Sequence, residues 1–154
     1  MNRIVWIILV AGLVLAGCGG SATATPTPIP IKQVPPHVAL NGVPLGSGGQ
    51  RVGDYAVWLT SASAPGKGDV QLEAVVLDKT DRPVTDATVS FDIDMTNMSH
   101  GKNVLKTSPA GDGHYAGEVY FTMGGPWRVI VVIEQPNQQP VRARFNFDVK
   151  QEGP

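Results

Sequence analysis

The sequence predicts an all-β fold, an antiparallel β-sandwich, on three observations. Beyond Gly53 no stretch repeats its apolar residues at helical spacing. Short β-branched and aromatic runs recur instead, separated by Gly, Pro, Asp and Asn, which is how strands and their turns are punctuated. Two of these runs also alternate between apolar and polar residues, as a strand does when only one of its faces is buried.

The first predicted strand is Tyr55–Ser61 and the second Asp69–Asp78. The second ends at Lys79-Thr-Asp-Arg-Pro83, whose proline cannot donate to a central ladder. The third, Ala87–Met95, sets Val89, Phe91, Ile93 and Met95 on one face and Ser90, Asp92 and Asp94 on the other. Val104–Thr107 makes a short fourth, and His114–Phe121, the fifth, turns Tyr115, Val119 and Phe121 inward. Trp127–Glu134 is apolar on both faces and belongs in the middle of a sheet. Val141–Lys150 alternates again, Ala143, Phe145, Phe147 and Val149 against Arg142, Arg144, Asn146 and Asp148. Seven strands within about a hundred residues give a seven-stranded immunoglobulin-like antiparallel β-sandwich. It spans residues 53–150, with a disordered tail at 151–154.

What precedes the domain is built for export. Arg3 supplies a positive start and Ile4–Leu15 is an almost unbroken apolar run. At about 1.5 Å per residue such a run covers only ~18 Å, short of the ~30 Å hydrocarbon core, so it reads as a cleaved signal rather than a spanning helix. Leu15-Ala-Gly-Cys18 looks like a bacterial lipobox. That resemblance implies removal of residues 1–17 and acylation of Cys18 with palmitate or a similar chain, a stable membrane anchor once two or more chains are present. Residues 18–52 carry the tract Ser21-Ala-Thr-Ala-Thr-Pro-Thr-Pro-Ile-Pro30, then Pro35-Pro36 and Gly46-Ser-Gly-Gly49. Chain of this kind favours extended polyproline II and has little apolar bulk. It is expected to be a stalk that holds the domain tens of ångströms off the membrane, on the extracytoplasmic side.

Composition excludes several function classes. The formal net charge of −1, with no Lys/Arg cluster, gives no footprint for nucleic acid. Cys18 is the only cysteine, so the domain has no disulfide, no Cys nucleophile and no Cys-based zinc site. The sequence shows no nucleophile elbow, phosphate-binding glycine loop or His-Glu-x-x-His pattern. No enzymatic activity is expected.

The sulfur-bearing residues are the better lead. Once the signal is removed three methionines remain, Met95, Met98 and Met123, two of them inside Met95-Thr-Asn-Met-Ser-His-Gly101. Thioether and imidazole make a soft donor set that suits Cu(I) better than calcium, magnesium or zinc. If the third, fourth and fifth strands are successive antiparallel neighbours, the loops after the third and fifth share one end of the sandwich. Met123 then approaches Met98 and His100, with Met95 beside them, while His114 falls at the opposite end. The alternative is packing: Met95 has the inward parity of its strand, Met123 that of Phe121, and Trp58 and Trp127 fit a core or sheet face.

The order of several segments is similar to YtkA-like domains and, in part, to the related FixH-type proteins. These segments are Asp81-Arg-Pro-Val84, Ala87-Thr-Val-Ser-Phe91, Met95–Gly101, Gly113-His-Tyr115 and Phe121-Thr-Met-Gly-Gly-Pro-Trp127. The resemblance covers residues 54–150 and departs from the pattern at Pro126, which lengthens the Met123-to-Trp127 spacing by one. It implies an immunoglobulin-like sandwich outside the cytoplasmic membrane and a role in copper handling or respiratory oxidase assembly. Met95, Met98, His100 and Met123 match its sulfur and polar positions. Two readings follow: a lipoprotein that binds Cu(I) and meets a membrane respiratory or copper-transport protein, or a metal-free module that docks a membrane complex.

Overall fold

The computed structural model describes residues 27–98 and 103–152; the predicted signal, Cys18 and His100 lie outside them. Within those residues the alternating runs become strands β1 (Ile29–Ile31), β2 (Val43–Pro44), β3 (Gly49–Val52), β4 (Tyr55–Ser61), β5 (Gly68–Leu77) and β6 (Thr88–Met95). They continue as β7 (Asn103–Lys106), β8 (Ser108–Gly111), β9 (His114–Phe121), β10 (Gly125–Glu134) and β11 (Val141–Val149). One sheet has the order β1-β3-β4-β5-β9-β8, with β2 also on β4, and the other β11-β10-β6-β7. The pairs are antiparallel. Every second residue faces the space between the sheets, where Leu59, Leu72, Phe91, Tyr115, Phe121, Val131 and Phe145 are essentially sealed from solvent.

The seven predicted strands are β4, β5, β6, β7, β9, β10 and β11, with the predicted faces inward. The fourth differs in its neighbours. β7 pairs with β6, but Thr107 then anchors the chain by donating its N–H and hydroxyl to the Val89 carbonyl at 3.2 and 2.8 Å. Past that point the chain crosses to the other sheet as β8, which pairs with β9 through the Asp112-Gly113 turn. β7 and β9 are therefore not partners in one sheet.

The larger difference is at the N-terminal side, where a stalk through residue 52 is expected. Here Leu45 and Val52 enter the main core, and Ile31, Val34, Val38 and Leu40 pack on Ala56, Trp58, Val75 and Leu77 across the outer face of the first sheet. These four apolar side chains are too few to fold alone, but a preformed sheet gives them a surface to cover. The strap is pinned by His37, whose Nε2 donates to the Asp81 carbonyl at 2.8 Å. It is pinned again by Asn41, whose amide donates to Glu73 at 3.2 Å. Gly49 lets β3 pass the buried indole, since a Cβ there would lie 2.2 Å from Trp58 Nε1.

The β11 edge is covered in part by this region and by the β4–β5 loop. The Gln50 amide donates to the Arg144 carbonyl and accepts its N–H at 3.3 Å, and Lys150 exchanges backbone bonds with Pro65 and Lys67. These bonds cap the edge at Arg144 and just beyond its end, at Lys150. The tail is also engaged at its start, where the Gln151 side chain accepts the Gly124 N–H at 3.1 Å.

Candidate metal centre

The placement of the candidate site follows from the pairing of β6 with β10. Met95 stands opposite Trp127 and Asp94 opposite Arg128, and the Thr96 N–H donates to the Pro126 carbonyl at 3.0 Å. The loop that leaves β6, carrying Met98, and the turn that enters β10, carrying Met123, therefore share one end of the sandwich. The expected neighbourhood of β7 and β9 does not form; β10, paired with β6, makes the connection.

The three methionines differ in depth. Met95 is 3% exposed and points into the core, where its methyl lies 3.2 Å from the position a Cβ on Gly125 would take. Met123 is half-buried against the same core, and its carbonyl accepts the Trp127 indole N–H at 3.0 Å. Beneath it Phe121 meets Trp127 edge-on at 5.0 Å and Phe147 at 6.0 Å, so the end of the core is an aromatic floor. Met98 is 46% exposed and borders an open hollow of about 430 Å³ with Asp94, Thr96, Asn97 and Arg128. His100 lies outside the described residues.

The charge beside Met98 is balanced. Arg128 Nη2 lies 3.3 Å from Asp94 Oδ2, and Asp94 Oδ1 accepts the Met95 N–H at 2.9 Å. Sequence parity puts Asp94 on the outer face, but its Arg128 partner emerges only from the strand register. Among the described residues no group of three or more His, Cys, Asp or Glu is placed to hold a metal ion. The thioethers of Met98 and Met123 at this end are soft donors.

His114 falls at the opposite end, as its strand position predicts. Its Nδ1 bonds Glu73, and the two side chains are only 11% and 13% exposed. Glu73 also takes the Asn41 amide, so this pair ties the strap to the sheet. A second hollow of about 300 Å³ at the same end is lined by Tyr55, Asp86, Gln135 and Gln138 among others. Its polar groups bond one another: the Tyr55 hydroxyl donates to Gln135, whose amide donates to Asp86 at 2.8 Å. Burial, with Asp86 and Asp54 nearby, pushes the Tyr55 phenol up.

Depth separates packing from ligation experimentally. Met95→Ala is expected to cost about 2–5 kcal/mol in urea unfolding, the usual range for emptying a core site. Met98→Ala is expected to stay within about 0.5 kcal/mol of the parent, as exposed substitutions do.

The fold and this end together define a class: a small antiparallel β-sandwich that carries a Met98 loop and, over an aromatic floor, a Met123 turn at one end. The chain belongs to the YtkA-like family, whose profile matches residues 49–132. No curated protein matches it. Among solved structures it is similar to FetP of uropathogenic E. coli strain F11, with TM-score 0.57, 17% identity, and 72% of this chain and 97% of that one covered. A copper-bound variant of FetP gives TM-score 0.56 and 16% identity over 72% of this chain and 94% of that one. The PmoD soluble domain from Methylocystis sp. ATCC 49242 (Rockwell) gives 0.48 and 14% over 64% and 94%. Among the described residues no helix is long and apolar enough to cross a membrane.

Proposed function

We propose that this chain is a non-enzymatic lipoprotein, anchored by acylated Cys18 on the extracytoplasmic side of the cell membrane. Its sandwich binds one Cu(I) as cargo for copper handling or respiratory oxidase assembly. Met98, His100 and Met123 supply the donors, and Met95 forms the wall beneath them. The observation that supports this reading is the β6–β10 register, which puts the Met98 loop and the Met123 turn at one end of the sandwich. The exposure of Met98 supports it, because a thioether at 46% exposure is not packing a core. The existence of a copper-bound FetP variant on the same fold adds to it. A membrane-bound copper or respiratory protein is the natural recipient for such cargo.

The test is an anaerobic Cu(I) titration of the mature chain against a chromophoric chelator. It is done with Cys18→Ser, so that no free thiol competes. One equivalent is expected to be withheld from the chelator and to be released in the Met98→Ala/His100→Ala double variant. Unchanged stoichiometry in that variant would sink the assignment and favour a metal-free docking module.

A further inference from the structure

We infer that the sandwich is mounted by the end remote from its methionines, so that the methionine end faces the aqueous phase, away from the bilayer. The inference rests on the Cys18 anchor proposed above.

The path of the chain is the first support. β1 runs from Ile29, opposite Arg51, to Ile31, opposite Gly49, and β3 continues to Val52, opposite Tyr55 at the start of β4. Ile29 thus lies at the end where β4 begins and β5 finishes. Arg51 fixes this end by its 3.0 Å ion pair with Asp81, in the turn after β5. Phe121, Gly125 and Met95 lie at the other end, since β9 finishes and β10 starts there.

Reach is the second. Eight residues, Gly19–Pro26, separate Cys18 from Thr27, a link that spans at most about 32 Å when fully extended. Strand β10 alone runs for about 30 Å from Gly125 to Glu134 at ~3.3 Å per residue. Because residues 29–52 are folded onto the domain, the tether is about as long as the body it carries. The methionine end then meets the bilayer when the tether is stretched to nearly full extension or the sandwich lies on its side.

The described surface does not favour that pose. Its exposed large apolar residues, Ile29, Val43, Met98, Val104 and Tyr120, lie on separate elements. The outer face of the second sheet carries the Arg128–Asp94 and Arg142–Asp92 pairs at 3.3 and 3.7 Å, which favour water over lipid. Ile29, the most exposed of the five at 63%, sits at the mounting end.

The experiment uses the full acylated chain in phosphatidylethanolamine/phosphatidylglycerol vesicles. A single cysteine is introduced as Thr122→Cys at the methionine end or Gln139→Cys at the opposite end, and each is labelled with a donor fluorophore. The acylated sulfur of Cys18 leaves the new thiol as the only reactive one. Energy transfer to acceptor-labelled lipid headgroups is expected to be several-fold weaker from position 122 than from position 139. A Gly/Ser insert after Gly19 should narrow that difference. Equal transfer, or stronger transfer from position 122, in a chain that carries its acyl mass and floats with the vesicles overturns this inference alone. A chain of unmodified mass that does not float overturns the anchor reading and the inference with it.

Discussion

A chain shortened to begin at Gly53 is expected to lose its cooperative unfolding transition, whereas one beginning at Thr27 keeps it. The shorter chain lacks Leu45 and Val52, both buried in the main core, each worth about 1.5–3 kcal/mol of burial. It also strips Ile31, Val34, Val38 and Leu40 from the outer face, leaving Trp58, only 2% exposed in the intact chain, open to water. With Gln50 gone, the Arg144 N–H and C=O on the β11 edge lose their cover. Together these terms match the whole stability of an ordinary domain, about 5–15 kcal/mol. Urea unfolding followed by tryptophan fluorescence separates the outcomes, because Trp58 and Trp127 are the only tryptophans left after the signal. A sharp transition of parental midpoint in the shorter chain would show that the strap is dispensable.

Phe121→Ala is expected to cost about 3–5 kcal/mol, the range for emptying a buried aromatic site. Phe121 is fully buried and its ring meets both Trp127 and Phe147 edge-on. The same ring underlies the turn that carries Met123, whose carbonyl is held by the Trp127 indole. The variant should therefore weaken Cu(I) retention as well as stability, and thermal melts beside chelator competition read the two effects. Phe145→Ala, deep in the same core but outside that aromatic group, is the control: a comparable loss of stability with retention closer to the parent.

How much was legible in the sequence varied with the length of the pattern. β6 and β11 alternate over eight and nine residues, long enough for parity to name their buried faces correctly. β3 and β8 have four residues each, too few for a period, yet their hairpins were written nearby. Gly53-Asp54 links β3 to β4, and Asp112-Gly113, with both residues at positive φ, links β8 to β9. Gly or Asp-Gly dipeptides between short apolar runs are the signature of two-residue hairpins. The strap was the hardest to see, because Ile31, Val34, Val38 and Leu40 follow no strand or helix period. Its trace lies instead in β4, where Trp58 and Ala56 face away from Val57 and Leu59 and all are buried. A strand apolar on both faces needs a cover on both. The shared end of the Met98 and Met123 loops is expected from a β7–β9 neighbourhood that does not form; the β6–β10 pairing that creates it has no mark in the sequence, and parity, which assigns a face, says nothing about how far a loop side chain stands from it.

The most direct test of the central claim is to watch the methionine methyl groups of the mature Cys18→Ser chain by carbon–proton NMR during anaerobic addition of Cu(I). Only Met95, Met98 and Met123 contribute signals. The Met98 and Met123 methyls are expected to move and to saturate together at one equivalent. Met95, sealed in the core, should move little. Methyl signals that stay in place through the first equivalent, or a shift at Met98 alone that never saturates, would contradict a copper site at this end of the sandwich.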